Sequence, residues 1–236
     1  MSNINIKRIK EDILVIKRMR LDKINIFVDI DDDNLMNMRI MMIGPKNTPY
    51  ENGFYFFDLK FTNKYPFEPP KMTFINPNTD VRFHPNFYKK GKICLSILNT
   101  WHGPGWTASQ NTSNILTHIM AVMTKHPIQN EPGWENECGD KSIRYNNIIA
   151  YHNISSSIIK NLKRPPPTFE IYKDLMIQKF IENYESILNF INKYKYLDGE
   201  FVKSSIYMMA ISNYNIETLN NSIINLKNKY EIIKEK

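Results

Sequence analysis

The sequence predicts an α+β fold: an N-terminal helix, a four-stranded antiparallel sheet, a central helix and additional C-terminal helices. Three observations carry this expectation. Apolar residues recur at three- and four-residue spacing near the N-terminus and again through the second half of the chain. Between these regions lie four short segments that alternate or run apolar, punctuated by turn residues. After the fourth, periodicity vanishes over residues 83–106, where prolines, glycines and two tryptophans gather. Long irregular stretches inside a compact domain tend to carry function.

The first helix is expected over residues 5–20, with Ile6, Ile9, Ile13 and Ile16 as one apolar stripe. Lys7, Lys10 and Lys17 share one flank of it, a candidate docking face beside the buried one. Charges run through this segment, so it does not read as a secretory signal. Strands follow at 24–30, 36–43, 54–61 and 71–75. The acidic run 31–34 supplies the first turn and Gly44–Pro45 ends the second strand. Tight turns at regular spacing give a meander. Helical periodicity returns over 109–124 through Ile115, Leu116, Ile119, Val122 and Met123, and Pro127 closes it. A helix is expected over 142–162. The proline run Pro165–Pro166–Pro167 reads as a stiff joint. Beyond it come a long helix over 168–194 and a last one through Leu219, Ile223, Leu226 and Tyr230. The expected organisation is a catalytic domain over 1–160 and a helical extension over 161–236. The extension's apolar stripes are too rich for a solvated tail, so it is expected to dock on the first domain.

Composition narrows the function classes. The 236 residues carry a net charge of +7, spread evenly and without a basic tail. Nucleic-acid binding would need clustered cations, so no nucleic-acid partner is expected. No apolar run approaches the roughly 18 residues of a membrane helix, so no membrane partner is expected. The two cysteines, Cys94 and Cys138, cannot build a disulfide framework, which points to a reducing setting, expected to be the cytoplasm, a host's if the source is a virus, with the nucleus as the alternative. Ile, Asn and Lys number 34, 29 and 24 against 4 Ala, a bias toward AT-rich codons. That bias discounts surface Lys and Asn as evidence of partners.

Chemistry is sought first at the thiols. A thiolate is the strongest nucleophile among ordinary side chains, although a free Cys is more often a small buried hydrophobe. Cys94 follows a glycine turn within the irregular stretch, where exposure is expected; Cys138 reads as incidental. A cysteine hydrolase would need a histidine base, and His84 and His102 are the candidates. A metal site would need paired ligands at short spacing; His84, Cys94, His102 and Cys138 do not pair that way, so no metal is expected.

The motifs then combine. His84–Pro85–Asn86 is followed, after seven residues, by Cys94–Leu95, with Trp106 and a helix beyond. Upstream stand Gly44–Pro45, Tyr50–Glu51–Asn52–Gly53 and Tyr65–Pro66–Phe67–Glu68–Pro69–Pro70. Together, over residues 5–155, these resemble the ubiquitin-conjugating enzymes. The stretch 84–103, the Asn130–Glu131–Pro132–Gly133 segment and the helical extension are most similar to the large Z-type subgroup.

The resemblance implies the ubiquitin-conjugating fold and a mechanism. Cys94 would accept ubiquitin, or a ubiquitin-like protein, as a thioester from an activating enzyme. A substrate lysine or a ligase cysteine would then attack it. No cofactor is implied, because the ATP is spent by the activating enzyme. By the same resemblance Asn86 serves as oxyanion donor or as a brace of the loop. His84, Pro85, Leu95 and Trp106 shape the active-site loop. Glu131 supplies the acid that helps an incoming lysine lose its proton, with Asn130 as the alternative occupant. Lys7, Lys10 and Lys17 would dock the activating enzyme, and Phe67, Thr107 and Ala108 would face a ligase; local packing on Pro69 and Pro70 is the alternative reading of Phe67. Ser96 departs from the family, where many members have an acid, and 100–105 reads as a small insertion beside the active site. A non-catalytic ubiquitin-binding scaffold on the same fold is the competing reading, and the presence of both Cys94 and Asn86 weighs against it.

Overall fold

The computed structural model describes residues 3–31, 33–76, 81–211 and 213–234. Helix α1 (Asn3–Met19) opens the chain, and a 3₁₀ turn (Leu21–Ile24) leads into the sheet. Strands β1 (Ile26–Ile30), β2 (Asn37–Ile43), β3 (Phe54–Lys60) and β4 (Lys71–Ile75) form an antiparallel meander in chain order. The register sets Ile40 opposite Phe57 and Phe57 opposite Phe74. The turn between β1 and β2 includes Asp32, which lies outside the described residues. Within it Asp31 Oδ1 accepts the N–H groups of Asp33 and Asn34 at 3.1 and 3.2 Å. That is the local competition with sheet bonding expected of short acids.

Helix α2 (Thr112–Val122) starts from Asn111 in a reciprocal capping box. Asn111 Oδ1 accepts the Asn114 N–H at 3.2 Å and Asn114 Oδ1 accepts the Asn111 N–H at 2.9 Å. Helix α3 (Asp140–His152) runs on through a π-helical stretch (Asn153–Lys160) to a last α-turn, α4 (Asn161–Lys163). The wider π turn swings Asn153 inward. Its amide donates to Glu51 O at 2.9 Å, and its Oδ1 accepts the Tyr55 hydroxyl at 2.7 Å. A Cβ at Gly53 would fall 1.8 Å from that Oδ1, so only glycine fits there. Tyr50, from the same motif, donates its hydroxyl to Phe83 O at 2.8 Å and ties the turn to the irregular stretch.

The expected long helix over 168–194 is broken. A 3₁₀ segment (Pro167–Tyr172) precedes α5 (Lys173–Glu182), and Asn183 separates α5 from α6 (Tyr184–Asn192). A two-stranded hairpin, β5 (Val202–Lys203) and β6 (Ala210–Ile211), stands before α7 (Ile216–Lys234). This hairpin has no counterpart in the sequence-based expectation.

The core explains the unbroken aromatic start of β3, since Phe54–Tyr55–Phe56–Phe57 is buried on both faces of the sheet. Tyr55 meets Phe83 at 5.5 Å and Phe57 meets Phe87 at 5.6 Å, both from the irregular stretch. On the other face Phe56 meets Phe169 at 5.0 Å, just past the proline run. Pro165 and Pro166 are themselves buried. Tyr172 donates to Arg39 O at 2.6 Å and Tyr230 to Leu162 O at 2.6 Å. Residues beyond 164 therefore share one hydrophobic core with the rest. No helix among the described residues is long and apolar enough to cross a membrane.

Candidate active site

Cys94 sits on the second arm of an irregular hairpin whose first arm carries Asn86. Bridges pair His84 with Phe87 and Phe87 with Ile93. The Cys94 N–H donates to Asn86 O at 2.9 Å. The Asn86 side-chain amide donates back to Cys94 O at 2.6 Å. Backbone and side chain thus clamp the two residues in one register. The Asn86 Oδ1 is buried and has no partner among the described residues. In this arrangement the amide nitrogen spends one hydrogen on the brace and keeps the second.

The sequence led us to expect an exposed thiol, but Cys94 is only 3% exposed. Its main chain is clamped by Asn86, and the 3₁₀ turn Ser96–Leu98 that follows has Ile97 and Leu98 buried. Thr100 fixes that turn. Its hydroxyl accepts the Leu95 N–H at 2.9 Å and donates to Ile93 O at 2.8 Å. Cys138, by contrast, is exposed.

His84 is not placed to act as a base. Its Nδ1 accepts the Asn86 N–H at 3.0 Å and its Nε2–H donates to Val122 O at 2.9 Å. Burial pushes the imidazole down to about 3; the bond to Val122 opposes this and the charge on Arg82 adds to it. The ring is neutral and both nitrogens are occupied, so it holds the loop to the end of α2. His102 is exposed and lies against Trp101 at 5.8 Å. Neither histidine bonds Cys94 among the described residues, which removes the geometry a cysteine hydrolase needs.

Pro85 and Leu95 are buried in the hairpin. Trp106 is also buried; its Nε1–H donates to Pro66 O at 2.7 Å and its N–H to Asn99 Oδ1 at 2.8 Å. This joins the 65–70 loop to the segment after the active site. Phe67 and Thr107 stand exposed on these adjoining loops, and Ala108 is half-buried. At 74% exposure Phe67 turns most of its ring to solvent, which weighs against the packing alternative.

On α1, Lys7, Lys10 and Lys17 are exposed. The same helix hides a charge that the sequence pattern did not flag. Asp12 is 1% exposed and takes the Thr112 N–H and hydroxyl at 2.7 Å each, the Arg8 Nε–H at 2.9 Å and the Tyr65 hydroxyl. A carboxylate at the first turn of α2 is favoured by the helix dipole and here pins α1 across it.

Asn130 and Glu131 separate clearly. The Asn130 amide folds back onto Pro127 O at 3.2 Å. The Glu131 carboxylate reaches away from its own turn and accepts the hydroxyl of Tyr207, from the C-terminal hairpin. Tyr207 and Tyr88 cover opposite faces of the Arg82 guanidinium, at 4.0 and 3.8 Å from the ring centroids. Arg82 in turn donates to Pro85 O. Arg82, Tyr88 and Tyr207, with Lys89, Lys90 and Lys92, line a cavity of about 580 Å³. Arg82, Tyr88, Thr100 and Tyr207 carry no motif of their own, and sequence reasoning passed over all four.

The ubiquitin-conjugating enzyme family matches residues 8–153. Ubiquitin-conjugating enzyme E2 Z of Xenopus tropicalis is 37% identical over 187 residues, 78% of this chain and 59% of that protein. The Homo sapiens protein of the same name is 38% identical over 181 residues, 75% of this chain and 50% of its own length. A solved ubiquitin conjugating enzyme E2 from Plasmodium falciparum aligns with a TM-score of 0.43 and 26% identity, over 50% of this chain and 96% of its own. The chain thus spans little more than half the length of the E2 Z proteins it resembles. The family match takes in the clamped Cys94–Asn86 hairpin, the sheet behind it and α2. The chain belongs to the ubiquitin-conjugating enzyme family.

Proposed function

We propose that the chain carries ubiquitin, or a ubiquitin-like protein, as a thioester on Cys94 and delivers it to a lysine or to a ligase. The observation that carries this reading is the Asn86 clamp on Cys94, which holds the two residues in one register and leaves the amide a second N–H. In loading, the Cys94 thiolate attacks the modifier's C-terminal carbonyl. A C–S bond forms, and the activating enzyme's cysteine leaves. In transfer, a lysine amine attacks that carbonyl. The C–N bond forms, the oxyanion collapses, and Cys94 leaves as thiolate. The spare Asn86 N–H supports the oxyanion role, in which one preorganised donor is worth about 2.7–4 kcal/mol. The attacking lysine must shed a proton, since its free pKa is about 10.4. Glu131 is the carboxylate we assign to that task; the side chain of the alternative occupant, Asn130, is engaged with Pro127 O and carries no base. Exposed Phe67 and Thr107, with Ala108, form the ligase-facing surface, and the Lys7, Lys10 and Lys17 flank meets the activating enzyme.

Mixing the chain with activating enzyme, ATP and ubiquitin tests this. Wild type and Cys138→Ser are expected to form an adduct that a thiol reductant removes. Cys94→Ser is expected to lose it, or to replace it with a reductant-resistant oxyester. A reducible adduct on Cys94→Ser that vanishes in Cys138→Ser would reverse the assignment.

A further inference from the structure

Tyr207 stands at the turn of the β5–β6 hairpin, more than 70 residues beyond the acid it touches. It and its neighbour Met208 adopt φ of +60° and +52°. Bulky residues avoid this left-handed region, at about 1–2 kcal/mol each. The usual turn residues, Gly and Asn, are absent from it. Met208, at 94% exposure, gains nothing from the conformation. Tyr207 does. The turn delivers its ring onto Arg82 at 4.0 Å and edge-on to Tyr145 at 6.2 Å. It also delivers its hydroxyl to Glu131 Oε2. Tyr145 completes the ring of contacts by donating to Arg82 O at 3.1 Å. Strain that is held in place by such surrounding contacts marks a constrained functional position.

The hydroxyl is a dependable donor. Burial raises its pKa, and the bond to Glu131 raises it further, so it keeps its proton at any working pH. A glutamate on a loop has three rotatable bonds. With Oε2 held by Tyr207, the carboxylate is fixed in direction, and Oε1 has no partner among the described residues. The same ring presses Arg82 onto Tyr88, and Arg82 bonds Pro85, next to Asn86. One side chain of the C-terminal hairpin therefore touches both the acid and the support of the Cys94 loop.

We infer that Tyr207 is a positioning residue for transfer to lysine: the C-terminal hairpin completes the active site in cis by holding the Glu131 carboxylate in its working direction. The inference rests on the reading of Glu131 as the group that helps the lysine lose its proton. Misplacing a reacting group by about 1 Å can cost roughly a hundredfold in rate. Loss of one restraint is expected to cost less, about tenfold.

The full chain is loaded with ubiquitin, the activating enzyme is quenched, and discharge is followed with free lysine and separately with hydroxylamine. Hydroxylamine is already uncharged at pH 7 and needs no proton removed before it attacks; the proton its nitrogen sheds afterwards leaves from the tetrahedral adduct. Tyr207→Phe keeps the ring on Arg82 and removes only the hydroxyl. The ratio of lysine to hydroxylamine rates is expected to fall about tenfold in Tyr207→Phe. It should fall at least as far in Glu131→Gln, and no further in the double variant. A slow Glu131→Gln beside a Tyr207→Phe ratio within twofold of wild type overturns the inference alone. An unchanged Glu131→Gln ratio removes the reading of Glu131 and the inference with it. Equal slowing of both nucleophiles in Tyr207→Phe reduces the contact to a structural one and likewise overturns it.

Discussion

His84 keeps a neutral imidazole inside the folded chain, and neutrality has a pH cost that the active-site chemistry does not. An unfolded imidazole titrates near 6.5, and the folded one is pushed down to about 3 by burial. Between those values the unfolded chain binds the proton and the folded chain does not. Stability from this site is therefore complete above about pH 6.5 and is lost as pH falls toward 3, at about 1.4 kcal/mol per pH unit. His152, which burial pushes down to about 4, acts in the same window. Urea midpoints measured from pH 7.5 to 4.5 are expected to fall below 6.5. His84→Asn should start lower and fall less steeply; an equal slope would mean that other groups set the acid sensitivity. At this scale the sequence was readable where a residue belongs to a motif. Cys94 and Asn86 stand in one, and the structure clamps them together. Asp12 and Tyr207 act through partners 100 and 76 residues away, and nothing local to either residue announces such a partner.

Helix α1 shows how one element serves two surfaces. Ile9, Ile16 and the Asp12–Arg8 pair face inward, and Lys7, Lys10 and Lys17 face solvent. Exposed charges contribute little to stability but steer encounter. Replacing the three lysines by glutamate is expected to slow loading from the activating enzyme several-fold at low salt, with the gap closing as salt rises. Discharge of preloaded thioester should stay as in wild type; equal losses in both would mean that the helix had come loose. The strands were legible because alternation and turn residues coincide, and β4 spans the expected Lys71–Ile75. The π-helical stretch was not, because Ile154, Ile158 and Ile159 also fit an ordinary helical stripe. The β5–β6 hairpin was hidden for a different reason. Each strand has two residues, and its turn lacks the Gly or Asn that would have marked it.

At the scale of the whole molecule, the segment beyond 164 covers a face of the sheet. Phe169 meets Phe56 of β3 within that contact. Truncating a buried Phe to Ala costs about 3–5 kcal/mol, and each kcal/mol shifts the melting temperature of a chain this size by about 2–4 °C. Phe169→Ala is therefore expected to melt about 10 °C below wild type. Truncation after Arg164 should melt lower still or precipitate; residues 1–164 melting like the full chain would mean that the contact is dispensable. The expectation of docking rests on the apolar stripes and on the stiff proline run before them. What those stripes could not reveal is the receiving surface, since Phe54–Phe57 reads equally well as a strand buried on one face or on two. The two-sided burial of β3 also sets a timetable for synthesis. At about 5–20 residues per second, Phe56 leaves the ribosome roughly ten seconds before Phe169. For that interval a nascent chain with its motif residues already translated still shows aromatic strand surface to its surroundings, and chaperones that recognise such surface have their opportunity then.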